Sequence, residues 1–128
     1  MRVLLDTCTF LWMIEDPKRL SQRAREVLID PGTDVFLSVV SVWEMILKHS
    51  IGRLPLVEPA AAFIQAQRIA HGLESLPLDE ESALHLSRLP AMHKDPFDRM
   101  LICQSIVHGV ALATPDHLVT QYSVRTLW

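Results

Sequence analysis

Short, wholly apolar runs alternate along the chain with longer stretches whose apolar residues recur every three or four positions. That is the pattern of buried strands alternating with amphipathic helices. Residues 2–5 (Arg2-Val3-Leu4-Leu5) form the first predicted strand, which ends at Asp6-Thr7 and leads into a short apolar helix through Ile14. After a turn at Asp16-Pro17-Lys18, Ser21 is placed as the N-cap of a helix carrying Ala24, Val27 and Leu28 on one stripe. Residues 35–37 form a second strand, and a helix from Ser38 or Ser41 runs to about Ile51, closed by Gly52. Pro59 opens the next helix and Gly72 follows its end, ahead of a third strand at 73–76. Asp79 caps a helix reaching about Leu89. Asp95-Pro96 then starts the most strongly signalled helix, which closes at His108-Gly109. Strands at 110–113 and 124–127 complete the series. Strands alternating with helices predict an α/β fold in three layers, a central parallel sheet of about five strands flanked by helices. Ligands in such sheets bind beyond the carboxyl ends of the strands, where the strand order reverses.

Composition narrows the reading without changing it. The 128 residues are expected to form a single domain over 1–128, and 49% hydrophobic against 21% charged residues excludes a disordered chain. A formal net charge of −3 excludes a protein that grips nucleic acid through overall positive charge. Positive charge would then have to be local or supplied by a metal. Two cysteines, Cys8 and Cys103, are too few for a disulfide scaffold, and both are expected to be reduced, buried thiols. Asp6 interrupts the opening apolar stretch, and the uncharged run 100–115 falls short of a membrane span. A cytoplasmic, membrane-free location is expected.

Four acids stand where acids should be scarce. Asp6 is the only charge between Arg2 and Glu15, and Glu44 lies within Val39-Val40-Ser41-Val42-Trp43-Glu44-Met45-Ile46-Leu47. Asp98 belongs to the helix Phe97-Asp98-Arg99-Met100-Leu101-Ile102, and Asp116 follows the fourth strand after Thr114-Pro115. Asp6 and Asp116 would emerge at strand carboxyl ends. Gathered carboxylates repel one another and raise their own pKa values, and a divalent cation relieves both burial and repulsion. Oxygen-only ligands suit Mg²⁺ or Mn²⁺, which can activate water and stabilise charge on a phosphodiester. Simpler roles compete at each position. Asp6 can cap the helix after it, Glu44 and Lys48 are spaced for a helix ion pair, and Asp116 suits a turn. Asp95 is assigned mainly to capping, with an accessory role near Asp98.

Other candidates carry less. Lys48, Arg53, Lys94 and Arg99 flank the acids and could hold phosphates, or simply balance nearby charge. The six histidines show no zinc spacing, and those before Gly72 and Gly109 complement helix dipoles. Cys8 lacks a base partner and reads as a structural thiol. Trp12, Trp43 and Trp128 are expected in the core.

Leu4-Leu5-Asp6-Thr7 with Leu11-Trp12, Ser38-Val39-Val40-Ser41-Val42-Trp43-Glu44, Lys48 with Gly52-Arg53-Leu54, His93-Lys94-Asp95-Pro96-Phe97-Asp98-Arg99-Met100-Leu101-Ile102, Ala113-Thr114-Pro115-Asp116 and the closing Val124-Arg125-Thr126-Leu127-Trp128 resemble PIN-domain proteins, in particular VapC-type toxins. The resemblance covers essentially the whole chain. It implies a five-stranded parallel sheet and a Mg²⁺- or Mn²⁺-dependent endoribonuclease that cleaves RNA, acts as a homodimer and is inhibited by a small antitoxin. Asp6, Glu44, Asp98 and Asp116 match the family's acidic quartet, Asp95 an accessory acid, Thr114 the hydroxyl that supports the last acid, and Arg99 a residue often found beside the third. Cys8 departs from the histidine more usual after the Asp-Thr pair.

Two other classes share parts of this pattern. A phospho-receiver signalling domain also has a doubly wound sheet and an acidic Mg²⁺ pocket, but calls for paired acids after the first strand and a lysine after the last. Asp6 stands alone, and no lysine follows Lys94. A catalytically idle binding module with a PIN-like fold would have no need of all four acids.

Overall fold

The structure is a computed structural model describing residues 1–128. Its strands are β1 (Arg2–Leu5), β2 (Asp34–Ser38), β3 (Glu74–Leu76), β4 (Ala111–Ala113) and β5 (Thr126–Leu127). All four pairings are parallel, in the order β3-β2-β1-β4-β5. Seven helices cover the sheet: α1 (Thr7–Glu15), α2 (Gln22–Ile29), α3 (Val39–Ser50), α4 (Ala60–Ala70), α5 (Glu80–His85), α6 (Pro96–His108) and α7 (His117–Thr120). The predicted three-layer α/β fold with five parallel strands is the fold observed. The order of strands reverses between β1 and β4, so the crevice at their carboxyl ends is where this topology places a ligand. The flavodoxin-like order 2-1-3-4-5 of receiver domains is a different one.

The strands build two cores by alternation. Val3, Leu5, Val35, Leu37 and Ala113 face one layer, packing with Phe10, Met45, Phe63 and Ile64. Leu4 and Leu112 face the other, with Leu101, Ile102, Val119 and Tyr122.

Helix boundaries follow local chemistry. Ser21 Oγ accepts from Ala24 N–H, as its placement predicts, and of the two serines offered for α3 it is Ser38 that caps, accepting from Val40 N–H. Gly109 ends α6 at φ 65°, a conformation that disfavours any side chain. The helix predicted from Asp79 to Leu89 is shorter. It leaves α geometry after His85 and tightens into a 3-10 turn at Leu86–Arg88, because Pro90 drives Leu89 into extended backbone. Helix α7 stands where the sequence signals only a turn at Asp116, since four residues are too few for a periodic signal.

Candidate active site

A cavity of about 320 Å³ opens at the carboxyl ends of β1 and β4. Asp6, Glu44, Asp95, Asp98 and Asp116 line it, with Thr7, Cys8, Trp12, Lys48 and Pro115. Five carboxylates from four separate segments of the chain therefore share one pocket with a single ammonium group.

Three of the acids are delivered by element ends and Glu44 by the body of a helix. Asp6 follows β1 and caps α1: its Oδ1 accepts from Thr9 N–H at 2.7 Å, while its own N–H reaches Ala113 O at the end of β4. Asp116 caps α7, its Oδ1 accepting from Leu118 N–H. Asp95 caps α6, one oxygen accepting from both Phe97 and Asp98 N–H. Capping and pocket lining are thus compatible at all three, because a helix N-terminus places its cap at the same crevice that the sheet topology creates. Glu44 projects inward from α3 and is only 4% exposed. Its Oε1 accepts from Thr7 Oγ1 at 2.6 Å and its Oε2 pairs with Lys48, one helical turn along. Thr7 Oγ1 also meets Ser41 Oγ at 3.1 Å. Thr114 is buried behind the pocket, and its Oγ1 accepts from Asp116 N–H.

Crowding and burial shift these groups. Loss of hydration raises the Asp6 carboxyl, partly offset by hydrogen bonds from Thr114 and Thr9 and reinforced by the charge of Asp116. Asp98 is pushed up to about 7, first by burial and then by the charges of Asp95, Asp6 and Glu44, with His93 pulling the other way. Lys48 loses some hydration, which lowers its pKa, but its bond to Glu44 and the charges of Glu44, Asp95 and Asp98 raise it on balance. Clustered carboxylates that resist ionising together fit a hard divalent cation, and the donor set is predominantly carboxylate oxygen.

The family model described as PIN domain matches residues 3–123. The chain belongs to the PIN-domain family. It is similar to Ribonuclease VapC22 of Mycobacterium tuberculosis, 27% identical over 115 residues, covering 89% of this chain and 86% of that protein. It also resembles solved structures. A chain of VapBC2 from Rickettsia felis bound to a promoter DNA fragment superposes with TM-score 0.75 at 11% identity, covering 98% of this chain and 97% of that one. For DNA-bound VapBC from Salmonella typhimurium the TM-score is 0.70 at 18% identity, with 98% and 96% covered. For VapBC-5 of Mycobacterium tuberculosis, a member of the VapBC family of toxin-antitoxin systems, it is 0.57 at 19%, with 98% and 94% covered.

Within this PIN domain several expectations change. Arg99 does not reach the pocket. One residue past Asp98 on a helix is 100° round the axis, and its guanidinium instead donates to Leu89 O at 3.2 Å. Arg53 and Lys94 are exposed and lie outside the lining residues, which leaves Lys48 as the one proposed phosphate contact inside the pocket. Cys8 is not a buried thiol: it is exposed, on the pocket wall, because the first turn of α1 carries it over the crevice. Its thiol is pushed up to about 11, by local loss of hydration first and then by the charges of Asp6, Asp98 and Glu44. Cys103 is buried as expected. Trp43 is 58% exposed, set edge-on to Phe97, and Trp12 and Trp128 are half-buried rather than core residues. No helix is long and apolar enough to cross a membrane.

His93 joins the site without having stood out from the other histidines in sequence. Its ring is 9% exposed, with Nε2 at 3.0 Å from Asp116 Oδ2 and 3.1 Å from Asp98 Oδ2. The available signal was its position two residues before Asp95. Zinc-type spacing does not reveal it, because its partners are carboxylates, Asp98 on the helix that follows and Asp116 beyond β4.

Proposed function

We propose that this protein is a metal-dependent endoribonuclease toxin of the VapC type, acting through one domain and neutralised by a small antitoxin. The observation that carries this reading is the convergence of Asp6, Glu44, Asp98 and Asp116 in a single cavity at the β1/β4 crevice. The similarity to a protein named as a ribonuclease, and to chains of VapBC toxin-antitoxin complexes, supports the substrate and the partner.

The carboxylates of Asp6, Asp98 and Asp116, with Glu44 directly or through water, would hold Mg²⁺ or Mn²⁺. When bound, that cation supplies a Lewis acid that eases deprotonation of water and neutralises phosphate charge. The residues of the chain do the rest. Thr9 N–H orients Asp6, Leu118 N–H and Thr114 orient Asp116, and Thr7 and Lys48 fix the two oxygens of Glu44. Lys48, on the pocket wall and partly exposed, is placed to meet a phosphate oxygen, while Arg53 and Lys94 offer charge farther along the strand. Water attacks phosphorus, the bond to the 3′ oxygen breaks, and that oxygen takes a proton. The products carry 5′-phosphate and 3′-hydroxyl ends.

A homodimer fits the surface. Val39, Trp43, Ile46 and Leu47 lie on one stripe of α3, between 39% and 58% exposed. Four adjacent apolar side chains on one helix face mark an interaction surface, and a second copy of the chain is the occupant proposed.

The test is RNA cleavage with and without Mg²⁺ or Mn²⁺ in the wild type, Asp6→Asn and Asp98→Asn. Cleavage is expected only in the metal-loaded wild type, with both variants folded. Full activity in either variant, or cleavage unaffected by chelator, rejects the assignment.

A further inference from the structure

His93 is close enough to Asp98 and Asp116 for the three to offer one ligand atom each to a metal, all within 4.8 Å of one another. Its hydrogen bonds argue for a different task. The N–H of Asp95 donates to Nδ1 at 3.1 Å. A backbone amide can only donate, so Nδ1 must present its lone pair, and the ring proton resides on Nε2. That N–H faces Asp116 Oδ2 at 3.0 Å, with Asp98 Oδ2 at 3.1 Å. To ligate a cation through Nε2, the ring would have to move its proton to Nδ1, and two N–H groups would then confront each other at Asp95.

The ring is held in this pose from behind. Tyr122, 5% exposed, accepts from the backbone N–H of His93 at 2.7 Å and donates to Pro90 O at 2.7 Å. Both capacities of a hydroxyl in the second core are thus spent on the loop that delivers His93, and a buried hydroxyl so used fixes its partners. The 90–95 loop has no regular structure of its own, so this clasp sets its course.

We propose that His93 is a positioning residue, whose Nε2–H draws the Oδ2 atoms of Asp98 and Asp116 together, and that the Tyr122 hydroxyl holds His93 in place to do so. The imidazole is then no ligand, and the cation set stays all-oxygen, which suits Mg²⁺ as well as Mn²⁺. This rests on reading the pocket as a cation centre.

Two measurements on the full chain test it. Long-range ¹H–¹⁵N correlation of the histidine rings reads the tautomer directly. His93 is expected to carry its proton on Nε2 and none on Nδ1, both metal-free and with Mg²⁺ added. A proton on Nδ1 in the metal-free protein, or loss of the Nε2 proton with Mg²⁺, overturns the proposal. Mn²⁺ binding, followed by the electron-spin resonance of the free ion, is then compared in the wild type, His93→Ala, Tyr122→Phe and the double variant. Removing an orienting partner weakens metal binding at least about tenfold, so each single variant is expected to lose about that much, with the double no weaker than His93→Ala alone. Additive losses would show that Tyr122 does not act through His93, and unchanged binding in His93→Ala would refute its role. If the wild type bound no Mn²⁺, the cation reading itself would fall, while the metal-free tautomer would still decide whether His93 is the donor.

Discussion

Replacing Asp98 by asparagine removes a strongly displaced carboxyl of the pocket, and the structure fixes how the effect must depend on pH. In the folded protein Asp98 ionises at about 7, raised first by burial and then by Asp95, Asp6 and Glu44. In the unfolded chain it ionises near the ordinary carboxylate value of about 3.9. Between those limits the folded state binds the extra proton, so stability falls as pH rises from about 4 to about 7 and levels off beyond. A gap of about three pH units sets a ceiling of about 4 kcal/mol, at 1.36 kcal/mol for each tenfold change in proton affinity. Because the side chain is 26% exposed and shares its repulsion with its neighbours, about 2 kcal/mol is the working figure. For a chain of this size that corresponds to a rise of roughly 5–10 °C in Tm for Asp98→Asn at about pH 8, in chelator. At about pH 4 both forms are uncharged and the gain should nearly vanish. Differential scanning calorimetry across that range measures the difference directly. A gain independent of pH, or a variant less stable than the wild type at about pH 8, would refute the electrostatic reasoning. Saturating Mg²⁺ should stabilise the wild type more than the variant.

Other substitutions probe separate parts of the site and fold. Lys48→Met should destabilise the protein by about 1–3 kcal/mol in urea unfolding, because Glu44, 4% exposed, would keep only Thr7 as a partner. Asp95→Asn should be more stable than Asp95→Ala by about 1 kcal/mol, since asparagine keeps the cap on Phe97 and Asp98 N–H. Gly109→Ala should cost about 1 kcal/mol by the same assay, its φ of 65° being unfavourable for any residue with a Cβ. Trp43→Glu should convert a dimer to a monomer in analytical ultracentrifugation without loss of Tm in the monomer, as the indole is 58% exposed.

Strands and acids were legible in the sequence for the same reason. A strand buried on both faces is a continuous apolar run, so Val3-Leu4-Leu5 and Ala111-Leu112-Ala113 stand out, and so do the carboxylates that interrupt such surroundings. Ser21, Asp79 and Asp95 announced their helices because caps are local chemistry. What escaped depends on contacts between distant residues. The place of His93 is set by Tyr122, 29 residues on, and by two acids on different elements. The exposure of Cys8 reflects a crevice formed by α1, α3 and α6 rather than its apolar neighbours in sequence. Adjacency to Asp98 suggests Arg99 as a phosphate contact, whereas helix geometry sends adjacent side chains in different directions.

The most direct test of the central claim is anomalous scattering from a crystal soaked in Mn²⁺. The account predicts a peak in the crevice between β1 and β4, within ligand distance of carboxylate oxygens from Asp6, Asp98 and Asp116, and its loss in Asp98→Asn. A crystal saturated with Mn²⁺ that shows no peak there, or a peak bound only by residues outside that crevice, would contradict it.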